Sequence, residues 1–454
     1  MTFKEEKAVL DEQHLIQLLE EEDIRAFRDE YFELHPYDRA SFYEKAPDHL
    51  RQRLYAYLSP KEMGEIFEVS EIPESQYKHY LEEMDTSYAA DMISYMFVDN
   101  AVDVLKELDK AQVLSYLTLM EEDKSREIRA VLHYEEQTAG SIMTTEYVAI
   151  SQEETVAHAM RSLKEQAPSA ETIYYVFVVD DEGHLTGVVS LRDLIIADDD
   201  TIIRDIMNER VVSVLVSEDQ EDVARMIQDY NFLAVPVVDF QQHILGIITV
   251  DDILDVLEEE ASDDYSKLAG VIDIDGEDSS AFGAAKKRAP WLLILLVLGM
   301  LTANLIDLFT DTISQVALLA AFIPLIAGTA GNSGTQALAV AVRKIATDRT
   351  DESRWKMLIR EAATGLITGV ISAVFVIGLV YFWKHNFIVA LLVGAAIMVS
   401  IFVATISGAF IPLLMHRLKI DPAVASGPFI TTLNDVISII IYFGLATMFL
   451  DKLV

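Results

Sequence analysis

The chain has 454 residues, no cysteine and a formal net charge of −39. Its length allows two to four domains. The absence of thiols excludes disulfides and thiolate metal sites and agrees with a reducing cytoplasm, while the acidic balance argues against nucleic-acid binding, which wants a basic face. The charge is unevenly spread: residues 1–285 hold 22 basic and 65 acidic side chains, net −43, and the chain from Lys286 onward holds 13 and 9, net +4. An acidic block of that size repels itself unless counterions neutralise it, and divalent cations are the obvious counterions.

The N-terminus runs from Met1 straight into an acidic helix-forming stretch, so no cleavable signal peptide is expected and the acidic half is expected to stay inside the cell. Residues 11–139 show apolar positions at helical spacing between short polar joints. Ser59-Pro60-Lys61-Glu62 has the form of a capped helix start. The pulses Leu81–Met84, Met92–Met96, Val104–Leu108, Val113–Leu117 and Ile128–Leu132 predict stacked helical hairpins in a small superhelix.

Residues 141–260 contain an internal repeat. Tyr175-Val176-Phe177-Val178-Val179-Asp180 is echoed by Ala234-Val235-Pro236-Val237-Val238-Asp239, and Gly187-Val188-Val189-Ser190-Leu191-Arg192-Asp193 by Gly246-Ile247-Ile248-Thr249-Val250-Asp251-Asp252. This strand–turn–strand–helix unit with a G-x-x-[ST]-x-x-D ending resembles the cystathionine-β-synthase (CBS) type domain, which works as a tandem pair. The resemblance implies that Ser190, Arg192 and Asp193, or Thr249 and Asp252, hold the ribose of an adenine nucleotide such as ATP. The hydroxyl also caps the following helix without any ligand.

An acidic helix follows, in which Asp251, Asp255, Glu258 and Glu259 share a face and Asp252 adjoins them. Like charges at that spacing destabilise an isolated helix, and a divalent ion bridging them to a neighbouring domain reverses the sign; Mg²⁺ takes oxygen ligands, usually one or two carboxylates plus retained waters. Residues 261–285 read as a connecting helix into the basic membrane entry at Lys286. Five apolar stretches are long enough to span a bilayer: about 290–309, 315–342, 357–382, 387–415 and 422–449. Pro324, Gly328, Gly331 and Gly334 are expected to break the second, and Gly427-Pro428 the fifth. The basic residues flank alternate ends, so the positive-inside rule puts the acidic half in the cytosol and the C-terminal tail outside. In the last span, Thr431, Thr432, Asn434 and Asp435 interrupt an apolar run, and an ionisable residue at membrane depth marks a functional path by default.

Taken in order, these segments resemble the MgtE family of bacterial magnesium channels and transporters. Two membrane motifs carry the likeness: Pro324-Leu325-Ile326 with Gly331-Asn332-Ser333-Gly334-Thr335-Gln336, and Asp421-Pro422-Ala423 with Thr431-Thr432-Leu433-Asn434-Asp435-Val436. Where the family has Gly-Gly-Asn, this chain has Ala330-Gly331-Asn332. The resulting fold class is multidomain: an all-α superhelical N-terminal domain (1–139), α/β CBS domains (140–202 and 203–260), a connecting plug helix (261–285) and a five-span α-helical membrane domain (286–454). The resemblance implies a homodimer in the bacterial cytoplasmic membrane, conducting Mg²⁺ along its two-fold axis with Asp435 at the ion and Asn332, Gln336, Thr431, Thr432 and Asn434 lining the pore. It also implies closure by internal Mg²⁺ at carboxylates of the soluble half. Besides Asp251, Asp252, Asp255, Glu258 and Glu259, the ligands expected are Asp421 and Asp91, with Asp85, Asp99 and Asp103 as further N-terminal contributors. Two other readings stand beside it: a secondary transporter exchanging a divalent ion for protons or Na⁺, which wants a further titratable membrane residue where the sequence offers only Glu361, at the cytoplasmic end of a span beside Arg360, and a membrane-anchored nucleotide sensor. Enzymatic chemistry has little support, because the histidines of the soluble half show no metal-binding or triad spacing and the one Gly-rich stretch lacks a phosphate-binding Lys.

Overall fold

The computed structural model describes residues 3–70, 72–271, 281–347, 351–422 and 427–450. They divide into two compact units, Met1–Glu259 and Glu260–Val454.

The first unit opens with ten short helices: α1 (Phe3–Glu20), α2 (Ile24–Tyr31), α3 (Pro36–Lys45), α4 (Asp48–Tyr57), α5 (Pro60–Phe67), α6 (Glu74–Glu83), α7 (Thr86–Tyr95), α8 (Val98–Lys106), α9 (Lys110–Leu119) and α10 (Glu122–Val131). Alternate helices pack on one another, α3 on α5, α5 on α7 and α7 on α9, with α6 on α8 and α8 on α10, which makes a two-layered superhelix. Its starts are written locally. At α5 the Ser59 hydroxyl accepts from the Glu62 amide at 3.3 Å and the Glu62 carboxylate accepts from the Ser59 amide at 2.8 Å, closing the capping box. The apolar pulses become core: Met63, Leu81, Met92, Ile93, Val104 and Leu105 are buried. That core runs on into the second CBS repeat through Val214, Val223, Val235 and Ile248.

Two copies of one small sheet follow. In the first, β1 (Ala149–Ser151) lies parallel to β2 (Tyr175–Val179), which pairs antiparallel with β3 (Leu185–Ser190). In the second, β4 (Val214–Leu215), β5 (Ala234–Val238) and β6 (Ile244–Thr249) keep the same order and register, with Tyr175 opposite Ser190 in one and Ala234 opposite Thr249 in the other. Helices α11 (Val156–Gln166), α12 (Leu191–Ile196), α13 (Ile203–Ile206) and α14 (Gln220–Tyr230) complete the pair. The repeats exchange segments: Thr144 bridges to Ile247 and Asn208 to Val188. A Cβ on Gly187 would collide with Met207, and one on Gly246 with the Thr144 carbonyl. The glycine of the repeated ending is therefore needed for the crossing chain to approach.

Helix α15 (Val250–Ala269) begins in the first unit and ends in the second at Gly270, which has φ +70°. The expected connecting helix is thus not a separate element: its first part is the end of α15, residues 272–280 lie outside the described residues, and the remainder opens α16 (Ala281–Asp307). Among the described residues, five segments are long and apolar enough to cross a membrane: Ala281–Asp307, Ala317–Ile345, Trp355–Lys384, Phe387–Arg417 and Gly427–Met448. They correspond to α16, to a 3₁₀ turn leading through Ile323 into α18 (Ile323–Thr347), and to α19 (Asp351–Lys384), α20 (Phe387–Arg417) and α21 (Gly427–Met448); α17 (Thr310–Gln315) is a short joint. One expectation is corrected. Gly328, Gly331 and Gly334 do not break the second span; α18 is continuous through them, and Pro324 sits in its first turn, where a missing N–H costs nothing. The break expected at Gly427-Pro428 adjoins residues 423–426, which lie outside the described residues; α21 is described from Gly427. The tail 451–454 lies outside the described residues.

Candidate functional site

Helix α21 lies against α18 and α20, and its polar residues divide between two faces. Asn434 is fully buried and accepts from the Ser407 hydroxyl of α20 at 2.7 Å. A Cβ at Gly334 of α18 would run into its amide, so the glycine is what lets α18 come this close. Thr431 shares a 3.2 Å hydroxyl contact with Thr335 of α18 and donates to the Gly427 carbonyl at 2.9 Å. Thr432 donates to the Pro428 carbonyl at 2.9 Å. Asp435 is only partly buried, and among the described residues no cation or hydrogen-bond donor meets its carboxylate. A charge on a membrane helix with no internal partner requires water, an ion or another chain.

Asn332 and Gln336 do not join Asp435. They line a cavity of about 510 Å³ between α18, α19 and α20, whose wall also includes Glu361, Thr364 and Thr368. Asp421, taken from the sequence as a metal ligand, is ion-paired to Lys267 at 2.5 Å; Lys267 also holds Asp263 at 2.5 Å. Beside it Leu268 packs with Leu338, Val342 and Ile430, so the end of α15 is fastened to α18 and α21.

The second site lies in the soluble half, where carboxylates gather at the N-terminus of α8. Glu68 accepts from the Phe97 amide at 2.8 Å, Glu146 from the Val98 amide at 3.4 Å, and Asp99 sits in the first turn. Unpaired N–H groups and the helix dipole favour anions there. Lys124 neutralises Glu146 at 2.5 Å, but among the described residues no basic side chain pairs with Asp99, which is 6 % exposed. Burial holds the Asp99 carboxyl well above its ordinary value, with Asp252, Glu171 and Glu146 adding repulsion. Burial first, and then Asp252 and Asp251, push Glu171 up to about 8, and one of its oxygens is buried without a hydrogen bond. Burial raises Asp252 to about 6, with Asp251 and Asp255 adding repulsion against the hydrogen bonds from Thr249. Asp255 is raised by burial and by Glu258, Asp251 and Asp103.

Of the N-terminal carboxylates expected from the sequence, then, Asp99 and Asp103 meet the acidic helix. Asp85 caps α7 by accepting from the Ser87 amide at 2.9 Å, and Asp91 is exposed outside the cluster. Glu258 and Glu259 lie on the exposed side of α15. Glu146 and Glu171 were missed because each is a lone acid in a joint, and Glu68 because it is one of a run of glutamates, Glu62, Glu65, Glu68, Glu71 and Glu74, from which nothing singles it out. Among the described residues, three ligand-bearing side chains have atoms within 4.8 Å of one another only at Asp48, His79 and Glu83, where Arg51 already donates to Asp48 at 2.9 Å and to Glu83 at 2.5 Å. The wider spacing at Asp99 suits an ion that keeps its waters.

A pH dependence follows. Carboxyls raised in the compact state favour their protonated form there, so the stability they lend is full below about pH 4, the ordinary carboxyl value, and is lost as pH rises through about 6 and about 8. In chelator, amide exchange at α8, corrected for intrinsic rates, is expected to be slower at pH 5.5 than at pH 8.5, and millimolar Mg²⁺ is expected to erase the difference. Equal protection at both pH values without Mg²⁺ would show that the carboxylates are not in repulsive contact.

At the CBS endings the two repeats differ. Ser190 donates to the Asp193 carboxylate at 2.6 Å and accepts from its amide at 3.1 Å, with Arg192 and Asp193 exposed. Thr249 is buried and donates to Asp252 at 2.5 Å inside the acidic cluster. A nucleotide's phosphates are repelled at the second ending and free to approach the first.

An acidic helical domain, a CBS pair and a multi-pass membrane domain on one chain define a membrane transport protein. The sequence matches the profiles of the MgtE divalent cation transporter over residues 323–445, the MgtE intracellular N domain over 34–137 and the CBS domain over 139–200 and 203–259. The magnesium transporter MgtE of Enterococcus faecalis is 52 % identical over 96 % of both chains. Among solved structures, the soluble part of a magnesium transporter is 53 % identical and covers 56 % of this chain and 99 % of its own, with a TM-score of 0.55. The cytosolic domain of the Mg²⁺ channel MgtE in complex with ATP is 37 % identical, covering 53 % and 98 %, with a TM-score of 0.51. The chain belongs to the MgtE family.

Proposed function

We propose that the protein carries Mg²⁺ across the bacterial cytoplasmic membrane as a homodimeric channel, with Asp435 at the ion, and that Mg²⁺ on the side of the acidic half shuts it. One observation carries the reading: Asp435 is a carboxylate on a membrane helix without an internal partner. Mg²⁺ dehydrates reluctantly, so a carboxylate contacting its hydration shell, with hydroxyls such as Thr431 and Thr432 nearby, selects it more cheaply than a tight cage. Two subunits presenting Asp435 to one ion would complete the charge balance. The basic residues at 286–288, 343–360 and 417–419 support a cytosolic acidic half and an external C-terminus by the positive-inside rule.

Gating follows from the cluster at α8. Without Mg²⁺, Asp99, Glu171 and Asp252 repel one another and favour separation; with Mg²⁺, the ions offset the repulsion and favour the compact state. Several weak sites that prefer one state sum to a steep response. Helix α15 carries Asp251, Asp252, Asp255, Glu258 and Glu259, and its far end is fixed by Lys267 to Asp421 beside α21. The experiment that tests the reading is Mg²⁺ flux into liposomes with Mg²⁺ varied on the acidic side. Exchange for protons or Na⁺ is the second reading, and Glu361, a buried carboxylate on another membrane helix, favours it.

For nucleotide, the exposed first ending is the proposed ATP site. Ser190→Ala with Asp193→Ala is expected to weaken ATP binding about tenfold, the worth of roughly one hydrogen bond to a charged group, while Thr249→Ala leaves it near the wild-type value. Calorimetry on the full chain checks this; absence of ATP binding by the wild type would end the assignment.

A further inference from the structure

The cavity between α18 and α19 shows features that the Asp435 path does not use. On α18, Thr329, Asn332 and Gln336 repeat at three- and four-residue spacing; on α19, Glu361, Thr364, Thr368 and Ser372 do the same, and all line the cavity. The α19 stripe spans the twelve residues from Glu361 to Ser372, about 16 Å of helix. The hydroxyls of Thr364 and Thr368 are satisfied within α19, by the Arg360 carbonyl at 2.9 Å and the Thr364 carbonyl at 2.8 Å. The exposed amides of Asn332 and Gln336 have no partner among the described residues. Unpaired amides facing hydrocarbon cost several kcal/mol each, so this groove faces water.

Glu361 stands in its wall. It is 8 % exposed, and among the described residues it forms no ion pair or hydrogen bond. Lys344 and Arg360 line the basic end of the same groove, yet neither lies within ion-pair distance of that carboxylate. A buried carboxylate without a cation, facing a wet space lined by amide and hydroxyl oxygens, is matched by a hard cation that keeps part of its water shell. We propose that this groove holds a second hydrated divalent cation at Glu361, separate from Asp435. The proposal rests on the reading that the chain carries Mg²⁺, and it gives that ion a resting place on α19 as well as on α21.

The chain has no cysteine, so single cysteines report cleanly. In the full chain in lipid nanodiscs, Thr368→Cys and, one turn deeper, Ser372→Cys are expected to react with a water-soluble methanethiosulfonate at least about tenfold faster than Val374→Cys, which is exposed on the outer side of α19. Millimolar Mg²⁺ is expected to slow labelling about tenfold, and Glu361→Gln to abolish that protection, while Asp435→Ala keeps it. Both cysteines labelling as slowly as Val374→Cys would show a dry or covered groove and overturn the proposal. So would labelling that Mg²⁺ does not slow, protection that survives Glu361→Gln, or protection by inorganic phosphate in place of Mg²⁺. Wild-type flux by Asp435→Ala would instead overturn the channel reading and leave the labelling result to decide the groove.

Discussion

Asp435→Ala is expected to lower Mg²⁺ flux by about two orders of magnitude in reconstituted liposomes, with little loss of thermal stability. The reason lies in what the carboxylate touches. No donor or cation within the described residues depends on it, so its removal leaves no buried partner unsatisfied, and loss of a desolvated charge from a membrane helix relieves a cost. For the ion the change is large, because a charge at membrane depth offsets the loss of bulk water far more than a neutral oxygen does. Asp435→Asn is expected to fall between the two, since it keeps the shape and loses the charge. The neighbouring Asn434 sets the contrast. It is buried against Gly334 and Ser407, so Asn434→Ala is expected to lower the thermal midpoint as well as flux. Flux by Asp435→Ala within a few-fold of wild type would remove it from the path.

The second large effect is expected at the α8 cluster. Asp99→Asn with Glu171→Gln removes a buried and a partly buried acid whose charged forms oppose compaction. In chelator this variant is expected to resist proteolysis as the wild type does in millimolar Mg²⁺, and to stay shut when Mg²⁺ is withdrawn. Neutralising Glu258 and Glu259 on the exposed side of α15 is expected to act in the opposite direction: ligands are lost where little repulsion is relieved, so Mg²⁺-induced protection weakens and closure is incomplete. The opposite signs distinguish buried from exposed carboxylates on one regulatory surface. If both variants merely lost protection, the buried acids would be serving as ligands without a cost in the compact state.

Much of this architecture was legible because local rules and tertiary structure agree in it. The Ser59–Glu62 box, the repeated CBS endings and the number of apolar spans are readable from spacing, and the described residues contain that capping box, two small sheets of one order and five candidate membrane helices. What was not legible is where long-range packing decides. Gly328, Gly331 and Gly334 look like helix breakers in a sequence, yet membrane helices accept glycine for close packing, as Gly334 against Asn434 shows. Asn332 and Gln336 stand in the same motif as Gly331 and Gly334, but they point about a third of a turn away, into the α19 cavity. Glu68, Glu146 and Glu171 come from three separate joints and meet only because the superhelix seats α8 against the CBS pair; no periodicity announces them. The pairing of Asp421 with Lys267, 154 residues earlier in the chain, was likewise not readable from the sequence.

The central claim is that Mg²⁺ is both cargo and brake. Its most direct test is Mg²⁺ uptake by liposomes containing the full chain, driven by voltage alone, with no proton or Na⁺ gradient and with Mg²⁺ on the acidic side set at micromolar or millimolar levels. Uptake that follows the voltage at micromolar Mg²⁺ and falls at least about tenfold at millimolar Mg²⁺ is the predicted result. Uptake that requires a proton or Na⁺ gradient, or that is indifferent to Mg²⁺ on the acidic side, would contradict it.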